Sequence, residues 1–372
     1  MVILAVVGAR PNFVKMAPLF AALRHVPEFE PVLVHTEQHY SEEMSAAFFQ
    51  DLALPVPDIS LGVGSGTHGE QTARTMLAFE PIVARRRPDV VLLVGDVNST
   101  LACALVAAKL GVRIAHVEAG LRSFDRSMPE EINRVLTDQL SDLLFAPSAD
   151  AVENLRQEGI PGERIHLVGN IMIDTLMQHR EQAQALQVWR RWGLAPGRYA
   201  VLTLHRPSNV DDDAQLAELV QVVSRLQEDV PVVFPVHPRT AGRLQAAGLD
   251  GPLRRLPQLH LTEPLGYLEF LSLLTGSRLV LTDSGGVQEE STCLGIPCLT
   301  LRPHTERPVT VTTGTNHVVG TAAGPILAAA QAALRGRAAA GVPPLWDGRT
   351  AGRIVDVLKQ SLMPVAATSL GA

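Results

Sequence analysis

The sequence predicts an α/β protein made of two Rossmann-like domains, each built on a parallel sheet. Three observations carry this. Short β-branched apolar runs alternate with longer helical stretches, as in successive βαβ units. The chain has 372 residues, room for two domains of ordinary size. Hydrophobic residues make up 46% of it and charged ones 19%, which is enough for packed cores.

In chain order, the first half places strands at 2–7, 31–36, 89–95, 112–117, 142–146 and 164–168. The second half places them at 199–204, 231–236, 259–262, 278–282, 297–301 and 316–320. A helical stretch at about 172–192 lies between the sets and is closed by Gly193 and by Pro196-Gly197, so it is the expected domain connection. An amphipathic helix at about 350–361 precedes a small-residue tail expected to fray. The resulting division is 1–170, 171–349 and a final segment 350–372. The basic run Arg85-Arg86-Arg87 stands just before a strand, where cations suit a helix C-terminus.

Composition excludes several classes. The net charge of −6 argues against a nucleic-acid partner. The cysteines, Cys103, Cys293 and Cys298, form neither a disulfide framework nor a zinc spacing and fit a reducing compartment. The apolar opening Val2-Ile3-Leu4-Ala5-Val6-Val7 is too short for a signal segment and lacks a basic leader. No stretch approaches the roughly 20 apolar residues of a membrane span. The expectation is a cytoplasmic protein with no membrane partner.

In open parallel sheets ligands bind beyond the carboxyl ends of the strands. Here those ends repeatedly carry polar residues. The first half supplies Arg10, Gln38-His39, Asp96 and Glu118, and the second His205-Arg206, His237, Asp283-Ser284 and Arg302. Such furnishing over two domains suggests that both rims face one cleft.

Gly8-Ala9-Arg10-Pro11 sits where a dinucleotide fold would carry its glycine triplet, and the triplet is missing, so bound NAD is not supported. The turn still offers Arg10, Lys15 and helix amides to an anion, or is a surface turn with a solvated arginine. Asp283-Ser284-Gly285-Gly286 follows a strand and opens a helix. Ser284 suits an N-cap, and the two glycines let a phosphate approach the amides; a plain helix cap is the alternative. A glutamate of Val287-Gln288-Glu289-Glu290 could instead accept ribose hydroxyls. Asp96, Glu118 and Glu130 place three acids at one rim, suited to acid/base work or to steadying a developing cation. Pattern alone reads Glu130 locally: Pro129 starts a helix, and Glu130 with Arg134 is an i,i+4 pair. His205 and His237 lack metal-ligand spacing. Asp211-Asp212-Asp213 reads as an acidic helix start. No metal is expected.

Together these residues resemble the non-hydrolysing UDP-N-acetylglucosamine 2-epimerases over nearly the whole chain. The resemblance rests on Gly8-Ala9-Arg10-Pro11 with Lys15; Gly95-Asp96; His116-Val117-Glu118-Ala119-Gly120-Leu121-Arg122; and Pro129-Glu130-Glu131-Ile132-Asn133-Arg134. In the second half it rests on His205-Arg206; Pro235-Val236-His237; Thr282-Asp283-Ser284-Gly285-Gly286-Val287-Gln288-Glu289-Glu290; and Thr305-Glu306-Arg307-Pro308. Single pieces are weak signals, but their order and spacing are specific.

The resemblance implies a glycosyltransferase-B-type fold with the C-terminal helix crossing back to the first domain. It implies interconversion of UDP-GlcNAc and UDP-ManNAc in a homodimer, with no cofactor. UDP would leave by anti elimination to give a 2-acetamidoglucal and return after the proton is replaced on the other face. By the same match Asp96, Glu118 and Glu130 are catalytic. Arg10, Lys15, Arg134, His205, His237, Ser284, Gly285, Gly286, Glu290 and Arg307 would line the substrate. Gln38 and His39 fall where some bacterial members bind a second, activating UDP-GlcNAc. Two stretches depart from the family pattern: Tyr40-Ser41 after His39, and Pro207-Ser208-Asn209, where many members have a glutamate and then a glycine. The alternatives are a 2-epimerase of another UDP-sugar such as a 2,3-diacetamido uronic acid, a hydrolysing epimerase, a glycosyltransferase of similar fold, or a non-catalytic sugar-nucleotide sensor.

Overall fold

The computed structural model describes residues 1–38, 51–336 and 341–363, with Arg10 described in its backbone only. It divides into two compact units. The first comprises Met1–Thr175 and the chain from Pro344 onward; the second is Leu176–Pro343.

The first unit holds a seven-stranded parallel sheet: β1 Val2–Val7, β2 Glu30–His35, β3 Ile59–Ser60, β4 Val90–Val94, β5 Arg113–Val117, β6 Leu143–Ala146 and β7 Ile165–Leu167, in the order β3-β2-β1-β4-β5-β6-β7. Its central strand β4, Val90–Val94, is buried along its whole length, because helices cover both faces. Leu4, Val6, Val32, Val34, Val91 and Leu93 pack against Phe79 and Val83 of the helix His68–Arg86 and Cys103 and Ala107 of the helix Asn98–Lys109. Arg85 and Arg86 occupy the last turn of the helix His68–Arg86, as their charge predicts. The strand β3 has only two residues, too few to show a period in the sequence.

The C-terminal helix Thr350–Leu362 belongs to the first unit and packs on the helix Arg10–Arg24. The buried Asp174 carboxylate accepts the amides of Thr350 and Ala351 at 3.0 and 2.7 Å, satisfying donors at the helix start. Arg113 holds the Ser361 carbonyl at 2.9 Å near the other end.

The second unit holds β8 Ala200–Thr203, β9 Val232–Pro235, β10 Leu259–Thr262, β11 Leu279–Thr282, β12 Cys298–Thr300 and β13 Asn316–Val318, in the order β10-β9-β8-β11-β12-β13. Alternate residues feed two cores. Ala200, Leu202, Leu279 and Leu281 face one, and Val201 and Val280 the other with Trp189 and Tyr199. The helical stretch expected at about 172–192 is two pieces. The helix Ile171–Leu186 ends before Gln187, which has φ 47°, and a 3₁₀ turn Val188–Trp192 follows. The first unit ends within that helix, at Thr175.

Strand order reverses between β1 and β4 in one sheet and between β8 and β11 in the other. Each reversal opens a crevice at the carboxyl ends of the strands.

Candidate active site

At the first crevice the buried Asn12 side chain organises the turn. Its Oδ1 accepts the amides of Gly8 and Ala9 at 3.1 and 2.9 Å, and its Nδ2 donates to the Val94 carbonyl at 2.9 Å, tying the end of β1 to that of β4. Gly95 then turns with φ 71°, where a Cβ would stand 3.2 Å from both the Asn12 amide nitrogen and the Lys15 ammonium. Lys15 is ion-paired to Glu118, both buried. Glu118 has φ 70°, uncommon for a residue with a side chain. Removing Glu118 would leave the buried Lys15 ammonium without its carboxylate, at a cost of about 3–5 kcal/mol.

Asp96 follows Gly95 and is half-buried. Its Oδ2 meets Arg134 Nη2 at 2.5 Å, while Arg134 Nη1 meets Glu131 Oε2 at 2.5 Å. Arg134 and Glu131 are four residues and one residue beyond Glu130, on the helix Pro129–Leu140 with Pro129 at its start. Glu130 itself is half-buried in the first turn. Glu131 also accepts the amides of Ser123 and Phe124 at 2.9 and 2.8 Å, bracing the loop that leads from Glu118 to Glu130. Asn133 donates to the Asp96 carbonyl at 2.9 Å. Gln38, buried, accepts the Ser99 amide at 2.9 Å; His39, Tyr40 and Ser41 lie outside the described residues.

At the second crevice Asp283 plays the corresponding part. It is fully buried and its carboxylate accepts the amides of His205 and Arg206, each at 2.9 Å, the Asn209 amide group at 3.1 Å, and His205 Nδ1 at 2.9 Å. Burial opposes the charge, but the His205 ring and the backbone amides outweigh it and hold the carboxyl below its ordinary range. The His205 and His237 rings lie 5.7 Å apart. His237 Nδ1 accepts the Arg239 amide at 3.2 Å, capping the helix Pro238–Ala246.

The helix Gly285–Leu294 begins after Ser284. Ser284 stands at the N-cap position, but its side chain makes no capping hydrogen bond, contrary to the sequence expectation. Its own amide instead donates to Thr282 Oγ1 at 2.9 Å, and the Thr282 hydroxyl in turn meets Thr203 Oγ1 at 2.6 Å. Gly285 faces the Arg307 guanidinium so closely that a Cβ there would stand 3.2 Å from Arg307 Cζ. Arg307 is held by Glu289, Nε to Oε1 at 2.9 Å. Gly286 is half-buried in the first turn of the helix. Arg302 grips Glu306 with both arms at 2.8 and 2.6 Å. Arg302, Arg307 and Arg206 hold the Glu306 carboxyl well below its usual range, although burial alone would raise it. Glu290 is buried and accepts the Tyr267 hydroxyl at 3.1 Å; burial pushes its carboxyl up to about 7.

The first crevice is thus lined by carboxylates paired with cations, and the second by arginines and histidines beside a helix whose first amides the Ser284 side chain leaves uncapped. A family model described as UDP-N-acetylglucosamine 2-epimerase matches residues 21–359. The chain belongs to that family. It is 43% identical over 358 residues to the UDP-N-acetylglucosamine 2-epimerase of Methanocaldococcus jannaschii, covering 95% of this chain and 97% of that one. It is equally 43% identical, over 338 residues, to the UDP-2,3-diacetamido-2,3-dideoxy-D-glucuronate 2-epimerase of Pseudomonas aeruginosa, covering 90% and 92%. The crystal structure of the M. jannaschii enzyme in complex with UDP-GlcNAc and UDP superposes with a TM-score of 0.91 at 43% identity, covering 97% of this chain and all of that one. A sucrose-phosphate synthase from Thermosynechococcus elongatus shares the fold alone, at a TM-score of 0.61 and 13% identity. The fold is the glycosyltransferase-B type, two α/β units on parallel sheets.

Against this family frame, the structure brings Lys15 to Glu118 and Arg134 to Asp96 in the first unit, and His205 to His237 and Gly285 to Arg307 in the second. Sequence reasoning gave no separate role to Asn12, Glu131, Asn133, Asn209 or Tyr267. Each is polar and buried, and such a residue must find partners, which is the signal that could have singled it out. Among the described residues no group of three or more His, Cys, Asp or Glu side chains could hold a metal ion, and no helix is long and apolar enough to cross a membrane.

Proposed function

We propose that the chain interconverts UDP-GlcNAc and UDP-ManNAc, with Asp96, Glu118 and Glu130 serving the sugar and the second unit holding the nucleotide. The Asp96–Arg134 and Lys15–Glu118 pairs at the β1/β4 crevice carry this reading, because they hold carboxylates in fixed places beside that crevice.

The hydrogen on carbon 2 is not adjacent to a carbonyl, so removing it first is unfavourable. The bond from carbon 1 to the diphosphate oxygen must break ahead of proton loss, leaving an oxocarbenium-like centre. Anti elimination gives UDP and a 2-acetamidoglucal, the proton passing to a carboxylate. Re-addition returns a proton to the opposite face of carbon 2 and UDP to carbon 1, so the net change is an inversion with no hydride moved. Anions near the ring steady the cationic carbon, and the cations and amides of the second unit steady the departing diphosphate. In this reading Arg307, His205, His237, the Ser284 hydroxyl and the amides of Gly285 and Gly286 face the diphosphate, and Glu290 the ribose. Lys15 and Arg134 complete the lining, and Gln38 stands where the family resemblance places a second ligand. UDP must stay bound until it re-adds. A cytoplasmic homodimer is the expected form.

Proton NMR of the purified protein with UDP-GlcNAc in deuterated water tests the proposal. UDP-ManNAc and UDP-GlcNAc both carrying deuterium at carbon 2 support it; free sugar in stoichiometric amount, or no turnover without an acceptor, excludes it. The equal identity to the P. aeruginosa relative favours one second reading, a 2-epimerase of a diacetamido uronic acid nucleotide. Exchange in that nucleotide, with none in UDP-GlcNAc, would select it.

A further inference from the structure

The strand β5 carries a buried polar side chain near its carboxyl end. His116 is fully buried, and both ring nitrogens face acceptors: Nδ1 lies 2.6 Å from Asp138 Oδ1, and Nε2 lies 2.8 Å from the Gly95 carbonyl. Asp138, also fully buried, uses its other oxygen to accept the Gly120 amide at 3.0 Å and Arg122 Nη2 at 2.7 Å. Arg122 continues to Glu158 through two bonds at 2.7 and 2.6 Å.

The positions of these contacts matter more than their number. The Gly95 carbonyl belongs to the peptide whose N–H is that of Asp96. Gly120 lies two residues past Glu118, and both have positive φ, 83° and 70°. Asp138 is on the helix that carries Glu130 and Arg134. One buried pair therefore ties together the segment after β4, the segment after β5 and the helix Pro129–Leu140, which are the carriers of the three acids. No side chain of the pair reaches the surface, so it has no direct access to a sugar.

We propose that His116 and Asp138 are positioning residues for the epimerisation: the His116–Asp138 bridge between the Gly95 carbonyl and the Gly120 amide sets the mutual placement of Asp96, Glu118 and Glu130. This rests on the carboxylate assignment made above.

The test compares His116→Gln, whose amide group can still reach toward the Gly95 carbonyl, with His116→Asn, which can reach only toward Asp138. Misplacing a reacting group by about 1 Å typically costs on the order of 10²-fold in rate. His116→Asn is expected to lose about that much kcat in carbon-2 deuterium exchange, with KM within about threefold of wild type and UDP affinity unchanged. His116→Gln is expected to recover at least about tenfold of it. Asp138→Asn, which keeps an oxygen for the Gly120 amide, is read in the same way and serves if His116→Asn does not fold. Wild-type kcat in the folded variants, or loss of UDP affinity in step with kcat, overturns the positioning role. Full activity of Asp96→Asn and Glu130→Gln would instead overturn the carboxylate assignment, so the two failures are distinguishable.

Discussion

Arg134 and Asp96 form an ion pair of 2.5 Å between Nη2 and Oδ2, and the second arm of the same guanidinium is taken by Glu131. Asp96 is thus aimed by a residue that is itself fixed at both ends. Arg134→Lys, which keeps the charge but loses the fork, is expected to lower kcat by on the order of 10²-fold. Asp96→Asn is expected to cost about 10²–10³-fold. Carbon-2 deuterium incorporation measures both, and circular dichroism checks that the fold is intact.

Lys15 and Glu118 are a buried pair in the same crevice. Glu118→Gln leaves Lys15 charged and without its carboxylate, so it should destabilise by about 3 kcal/mol as well as reduce turnover. The double substitution Lys15→Met with Glu118→Gln should restore most of the stability and none of the activity. Denaturant unfolding and turnover, measured on the same samples, separate the two effects.

Gly285 stands against the Arg307 guanidinium, and a methyl there would have to displace a side chain that Glu289 holds. Gly285 is the first residue of its helix, where the propensity gain of alanine is small, so stability is expected to stay within about 1 kcal/mol of wild type. UDP affinity is expected to weaken about tenfold, a loss of about 1.4 kcal/mol in binding. Calorimetric titration with UDP gives the second quantity and thermal melting the first.

Glu290 gives a pH dependence. Burial pushes its carboxyl from the ordinary 4.5 up to about 7, with Tyr267 lowering it and Glu289 raising it. Between those values the folded chain holds a proton that the unfolded chain has released. Its contribution to stability is therefore complete below the ordinary value and lost as pH rises through about 7. The unliganded protein should lose on the order of 2–3 kcal/mol from this source on passing from pH 5 to pH 8. Glu290→Gln should flatten that part of the profile. An identical slope in the variant would assign the loss to another group.

Strand positions and helix starts were legible because they are local. The alternation of short apolar runs with helical stretches located the strands β1, β2 and β4–β13, and Asp212 caps the helix Asp213–Asp229 through the Gln215 amide at 2.8 Å, as an acidic start should. The two-residue β3 and the break at Gln187 were not legible. The first is shorter than any period, and the second is a single left-handed backbone step within a helical composition. Ser284 shows the limit of a local rule: it has the right type and place for a cap, yet the Thr282 hydroxyl takes its amide and its side chain makes no capping bond.

The sequence by itself determined the two βαβ series, the polar residues beyond the strand ends, and the family motifs with their order and spacing. These follow from the period of apolar burial along one chain segment and from residue chemistry at the turns. Only the tertiary structure decided that Lys15 meets Glu118, that Arg134 serves Asp96 and Glu131 together, and that Asp283 gathers the amides of His205 and Arg206. Those partners are 103, 38 and 78 residues apart. A buried charge accepts whichever opposite charge the packed strands bring within a few ångströms, and that distance is set by strand order, which no local pattern encodes.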